Sequence, residues 1–383
     1  MDVSDLRIAL FSGNYNMVTD GANRALNRLV DYLLRQGASV RIYSPTIDAP
    51  AFAPKGDLVS LPSVAIPGRA EYRVALGLGA RVRRDLEAFG PNMVHISSPD
   101  PASHRAVSWA RKRDIPALAS VHTRFETYPR YYGLGFIEPA IVAMLKRIYR
   151  RCDALLAPAE SFVHTLRDQG MNDDVDVWSR GVDRSIFYPG ARNLEWRRSL
   201  GIGDNEFAIG FLGRLVMEKG LDVFAEVMAE LARRDTGHRV LVIGIGPAQG
   251  WLAERVPEAV FAGFQSGEDL GRAVASMDVL LNPSITEAFG NVTLEAMACG
   301  VPVVAARATG NDGLVVDGET GYLLSPRDIQ TYANALAGYM RDPALQARHG
   351  TEGERRSLDY DWDRINQVVA DTYLRLIEQR RRG

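Results

Sequence analysis

A chain of 383 residues exceeds what one hydrophobic core usually organises, so two domains are expected. With 46% hydrophobic and 24% charged residues and a formal charge of -2, the composition is that of a well-packed soluble protein, excludes wholesale disorder, and gives no sign of a nucleic-acid partner. Cys152 and Cys299 are the only cysteines, which argues against a disulfide framework or a cysteine metal centre and fits a cytoplasmic setting.

In chain order, the N-terminal MDVSDLRIALFSGNY lacks a basic leader and a long apolar run. No later stretch approaches about 18 uninterrupted apolar residues, so neither export nor a membrane span is expected. Strands are expected near 6–11, 39–43, 93–97, 117–121 and 153–156, with helices around 22–35, 102–113, 137–150 and 160–169. The cadence repeats with strands at 207–212, 239–243, 259–263, 278–282 and 302–305 and helices near 220–233, 266–276 and 292–299. Such alternation implies an α/β fold of two doubly wound parallel sheets joined near 178–200, with ligands at the carboxyl ends of the strands, in a cleft between the halves. Beyond about residue 328 the pattern is helical. The stretch 361–383 would form one terminal helix, its stripe of Ile365, Val368, Val369, Tyr373, Leu374 and Ile377 placed to brace the domains.

Charge is uneven along the chain. Residues 1–185 hold 24 Lys/Arg against 20 Asp/Glu, leaving 21 against 27 for the remainder. RVRR at 81–84, RKR at 111–113 and KRIYRR at 146–151 concentrate the positive charge, and a solvated helix face is the plain reading of each.

The segment SITEAFGNVTLEAMACG, residues 284–300, sets Glu287 and Glu295 in small, apolar surroundings. An unpartnered buried carboxylate costs several kcal/mol, so each must be solvated, paired or facing a ligand. Residues 289–292 are expected to open a helix, whose unpaired N–H groups and dipole suit a phosphate. One carboxylate capping and the other solvated is the bland alternative. GFLGRLVMEKGLD, residues 210–222, weakens it by placing Arg214 and Lys219 on the loop after a strand, where two cations suit a diphosphate.

Gly213-Arg214 with Lys219-Gly220, VIGIGP at 242–247 and EAFGNVTLEAMACGVPVV from Glu287 together resemble the retaining GT-B glycosyltransferases of family 4, over essentially the whole chain. The resemblance implies two Rossmann-like domains facing a central cleft: 1–185 on the acceptor side, 186–360 binding the nucleotide sugar, and 361–383 a helix packing back toward the first. It implies that Arg214 and Lys219 bind the diphosphate of a GDP- or UDP-hexose, Glu295 the ribose and Glu287 the sugar. Phe289, Gly290, Asn291 and Val292 would present backbone at the helix start, with Gly246 and Phe264 also lining the donor site. The usual double glycine after the first strand is here a single Gly21, a departure that weakens a phosphate contact there.

VHTRFETYPRYYGLGF, residues 121–136, and VWSRGVDRSIFYP, residues 177–189, are similar to members that glycosylate lipid-linked acceptors, such as lipid mannosyltransferases and sulfoquinovosyl-diacylglycerol synthases. On that resemblance His122 orients the donor sugar, and Tyr128, Tyr131, Tyr132 and Arg180 lie on the acceptor side. Arg180 and Trp178 have packing at the domain junction as the simple alternative. Phe125 and those tyrosines, with Lys146, Arg147, Arg150 and Arg151, would dock the protein peripherally on the anionic inner face of the cell membrane.

No cofactor and no metal are expected; Asp174/Asp176 and Asp359, Asp361 and Asp363 read as surface carboxylates. Retention without an evident protein nucleophile suggests front-face displacement, with the leaving phosphate oxygen taking the acceptor proton. A transferase to a soluble acceptor, a nucleotide-sugar 2-epimerase drawing on His95, His104, His122, Glu126 or Asp100, and a non-catalytic nucleotide-sugar sensor are the competing readings.

Overall fold

The computed structural model describes residues 1–17, 21–66, 69–123, 135–287, 289–308 and 310–382. The chain divides into two compact units, Met1–Arg180 with Trp362–Gly383, and Gly181–Asp361.

In the first unit β1 (Arg7–Phe11), β2 (Ser39–Ser44), β3 (Asp57–Ser60), β6 (Met93–Ile96), β7 (Ala117–Ser120), β8 (Ala154–Ala157) and β9 (Val175–Val177) form one parallel sheet in the order β3-β2-β1-β6-β7-β8-β9. The short β4 (Ser63–Ile66) and β5 (Arg69–Ala75) pair antiparallel as a separate ribbon. Strands β6, β7 and β8 are buried at every position. Helices on both faces of a parallel sheet demand this, which is why these strands read as continuous apolar runs rather than alternating ones. The helix Gly21–Arg35 turns Ala25, Leu26, Leu29, Val30 and Leu33 inward at helical spacing.

The terminal helix Trp362–Arg382 belongs to this unit and buries Ile365, Val369, Tyr373, Leu376 and Ile377. Val368, expected in the stripe, is 42% exposed; Leu376 takes the inward position instead. Arg375 pairs with Asp174 at 2.6 Å and Asp176 at 3.2 Å, Arg380 with Asp114 and Asp153, and Asp363 with Arg35 at 2.6 Å. Three of the five acidic residues read above as surface carboxylates, Asp174, Asp176 and Asp363, thus anchor or receive this helix. No cluster of three or more His, Cys, Asp or Glu suited to a metal occurs among the described residues.

In the second unit β10 (Ala208–Leu212), β11 (Arg239–Ile243), β12 (Ala259–Gly263), β13 (Val279–Asn282), β14 (Val303–Ala306) and β15 (Gly321–Leu324) form a parallel sheet ordered β12-β11-β10-β13-β14-β15. The order reverses between β10 and β13, which pair through Ile209↔Val279 and Gly210↔Leu280. Ligands of such sheets bind in the crevice outside that reversal. Among the described residues no helix is long and apolar enough to cross a membrane.

Candidate functional site

The chain leaving β10 and the chain leaving β13 flank the reversal in the second unit. Arg214, two residues past β10, is exposed, and its guanidinium has no partner among the described residues. A 3-10 turn, Met217–Lys219, follows, and Gly220 in the left-handed region starts the helix Leu221–Arg233. Lys219 Nζ donates to Glu287 Oε1 at 2.6 Å, with the side chains 32% and 15% exposed. Thr286 Oγ1 donates to the Glu218 carbonyl at 3.1 Å. The two loops are therefore stitched together, and Glu287, expected to meet a sugar, grips the lysine expected to meet a diphosphate. An ammonium has three donors, so the pair leaves Lys219 two further N–H groups.

The helix Asn291–Ala298 begins beside Glu287, as the sequence suggests, but its free amides are displaced along the chain. Gly290 N–H donates to the Gly310 carbonyl at 2.9 Å and Asn291 N–H to the Phe289 carbonyl at 3.0 Å. Neither of these two expected phosphate donors is free. Among the described residues Leu294 N–H makes the first bond back, to the Gly290 carbonyl at 2.9 Å, and the amides of Val292 and Thr293 have no partner there. The Phe289 side chain is buried, its ring 6.1 Å from that of Tyr360. Glu295 is partly exposed, one turn in.

Beneath this helix sits a buried polar triangle that sequence reasoning did not find. Asn282 Nδ2 donates to Thr293 Oγ1 at 3.0 Å, Thr293 Oγ1 donates to Asn311 Oδ1 at 2.9 Å, and Asn311 Nδ2 donates to the Ala306 carbonyl at 3.1 Å. These bonds lock the helix start to the ends of β13 and β14. The signal was local: Asn282 closes an otherwise apolar strand, VLLN. Gly310 completes the lock, because a Cβ there would stand 2.5 Å from that of Glu287.

Gly246, expected to line the donor site, has a structural duty. A Cβ on it would lie 2.3 Å from the Leu215 carbonyl oxygen, so the loops after β10 and β11 touch only because it is glycine. Phe264, following β12, is 65% exposed, and Met217, Ile245 and Ile285 are also exposed past the ends of β10, β11 and β13. The carboxyl edge of this sheet therefore carries apolar side chains beside charged ones.

In the first unit His122 lies two residues past β7. Its Nδ1 is 2.7 Å from an Arg180 guanidinium nitrogen and its Nε2 is 2.9 Å from Ser120 Oγ. Both ring nitrogens are engaged within the protein, so these bonds fix the orientation of the ring expected to meet the donor sugar. Ser120 Oγ also lies 2.8 Å from His95 Nε2, and His95 Nδ1 lies 2.6 Å from the Tyr373 hydroxyl. Trp178 stands edge-on to both imidazoles, is 1% exposed and donates to Asn366 Oδ1 at 3.3 Å. Burial holds His95 down to about 3; burial, then the Arg180 charge, then His95 hold His122 well below the usual imidazole range.

The other acid and base candidates of this unit are similarly occupied. Asp100 caps the helix Pro101–Arg111 through the Ser103 amide at 2.8 Å, and His104 Nδ1 meets Arg151 at 3.1 Å. Arg151 also donates to Ser108 and Arg150 to the Gly170 carbonyl, so half of the basic quartet serves the fold. Gly21 opens the helix Gly21–Arg35. Phe125, Glu126, Tyr128, Tyr131 and Tyr132 lie outside the described residues.

Two family models match, "Glycosyltransferase Family 4" over residues 19–186 and "Glycosyl transferases group 1" over residues 206–342. A GDP-mannose-dependent alpha-mannosyltransferase of Mycolicibacterium smegmatis is 31% identical, the match spanning 98% of this chain and 99% of that protein. The chain belongs to the group 1, family 4 glycosyltransferases. A sulfoquinovosyl transferase of Arabidopsis thaliana is 30% identical over 93% of this chain and 71% of its own length. Among solved structures HepE of Anabaena, in complex with UDP, superposes with a TM-score of 0.76 at 19% identity, covering 95% of this chain and 98% of that one. The fold is GT-B, two Rossmann-like domains, and the protein is a glycosyltransferase.

Proposed function

We propose that this glycosyltransferase moves a mannose- or glucose-type hexose from a GDP- or UDP-sugar to a lipid-linked acceptor, with retention and without a metal. The observation that carries the reading is the reversal between β10 and β13. There Arg214, its guanidinium without a partner among the described residues, stands on the same loop as Lys219, whose carboxylate partner Glu287 leads to the start of the helix Asn291–Ala298. Charge developing on a departing diphosphate is met by donors already in place, which is how such sites lower a barrier. Glu295 on that helix would hold the ribose diol, and exposed Phe264 would flank the base.

The lipid part of the proposal draws on relatives that act with GDP-mannose or transfer sulfoquinovose, and on the first unit's surface. Met144, 53% exposed, and Arg147, exposed as well, lie one turn apart on the helix Glu138–Tyr149, and Phe136, 79% exposed, precedes that helix. Apolar groups next to a cation suit a headgroup layer. The deciding experiment screens GDP- and UDP-hexoses for thermal stabilisation, then follows turnover of the stabilising donor with lipid and soluble acceptors. Transfer to lipid with an unchanged anomeric configuration and no loss in chelator is expected. Efficient transfer to soluble acceptors alone, or donor binding without turnover, would defeat it.

A further inference from the structure

The side chains behind His122 form a cluster whose proton positions are largely dictated by chemistry. A guanidinium has only N–H donors, so Arg180 must donate to His122 Nδ1, 2.7 Å away. That nitrogen then carries no proton. The neutral ring bears its hydrogen on Nε2 and donates it to Ser120 Oγ at 2.9 Å.

At the other end, the 2.6 Å contact of Tyr373 with His95 Nδ1 is short for an N–H donor but ordinary for an O–H donor. The phenol is therefore the donor. His95 bears its proton on Nε2 and also donates to Ser120 Oγ, at 2.8 Å. Both distances to Ser120 fit N–H donors, and a hydroxyl oxygen has two lone pairs to receive them. The opposite polarity would strand the Tyr373 proton in a site with no solvent access. The polarity set by the short Tyr373 contact leaves the unaccepted proton on Ser120 instead, itself 2% exposed, so the 2.6 Å distance decides between the two.

We propose that Ser120 Oγ is a shared acceptor pinning both imidazoles as Nε2–H tautomers, Arg180 from one side and Tyr373 from the other, and that this clamp positions His122 for transfer. Ser120, His95 and Tyr373 are positioning residues, reaching the site only through His122. The inference rests on the reading of His122 as part of the transferase site. It makes a residue of the terminal helix, 251 positions later in the chain, a determinant of that histidine's geometry.

The test uses full-length protein with 15N-labelled histidine. Long-range 1H–15N correlations at pH 7 should show His95 and His122 both neutral and both protonated at Nε2. A proton on Nδ1 of either ring, or a doubly protonated ring, overturns the clamp. Tyr373→Phe should shift His95 toward the Nδ1–H form and lower kcat at least threefold, with the KM for the donor chosen by the stabilisation screen unchanged within twofold. Ser120→Ala should lower kcat about tenfold, and Ser120→Thr, which keeps a hydroxyl, should recover most of it. Full kcat in both Tyr373→Phe and Ser120→Ala overturns the positioning role; should either fail to fold, the tautomers of the unaltered protein still decide the clamp. Full activity in His122→Asn, with the tautomers as stated, would instead overturn the placing of His122 at the site.

Discussion

The strand ends of the two units treat polar groups in opposite ways. At the β10/β13 reversal of the second unit, Arg214 is exposed and without a partner among the described residues, and Lys219 and Glu287 are only partly covered. At the ends of β6 and β7 in the first unit, His95 and Ser120 are buried, bonded and uncharged. Charge held near water responds to ligand and salt, whereas neutral rings in a low-dielectric setting respond to the geometry of their neighbours. One sheet presents a field and the other a fixed shape.

The largest expected effect would break the field. Lys219→Ala removes a cation and leaves Glu287 facing any bound phosphate, so turnover should fall about 100-fold, measured as kcat/KM for the donor. Arg214→Ala, which strands no partner, should cost less, about tenfold, with folding unchanged by circular dichroism. Equal turnover of both variants and the parent protein would remove the diphosphate assignment. Glu295→Gln should weaken nucleoside diphosphate binding severalfold by calorimetry, because a carboxylate accepts from two ribose hydroxyls where an amide offers one acceptor oxygen.

A subtler measurement sharpens the shape side of the contrast. His95 and His122 are held neutral in the fold, below the ordinary imidazole value near 6.5. The unfolded chain therefore binds more protons once pH drops below about 6.5; the stability His95 allows is full above that value and lost as pH falls toward 3, and His122 acts in the same direction. At pH 5 His95 should cost about 2 kcal/mol relative to pH 7.5, by urea unfolding. His95→Gln should flatten that slope; an unchanged slope would show that His95 is charged or hydrated in the fold. Smallest of all, chelator should alter turnover by less than about twofold if cations of the chain serve the diphosphate.

Much of this was legible in the residues, for physical reasons that differ by element. Central parallel strands are buried on both faces, so runs such as AIGFL and VLLN announce themselves. Edge strands do not: VDV at 175–177 and GYLL at 321–324 are short and half-covered, and owe their conformation to the neighbour they pair with. RVRR, readable as a solvated helix face, does lie on a helix, Ala80–Phe89, but its buried face of only Val82, Leu86 and Phe89 gave no bounds for it. At the site, Arg214, Lys219, Glu287 and Glu295 were visible as residue types at the right spacing. Their pairing was not, since the Lys219–Glu287 bond joins loops from strands that only the sheet order makes neighbours. Tyr373 looked like one more apolar position on a helix, and nothing local links it to His95, 278 residues away.

The first unit is sewn from both ends of the chain, and this sets a timetable during synthesis. Met1–Arg180 leaves the ribosome early, but the helix that supplies Tyr373 and Asn366 follows only after all of Gly181–Asp361. At about 5–20 residues per second, that interval is roughly ten to forty seconds. Throughout it His95 lacks its phenol and Trp178 its amide partner, and the surface that Ile365, Val369 and Ile377 will cover stays wet. The nascent first unit therefore waits with its histidine cluster unset, and the second unit has the opportunity to fold before the first can close.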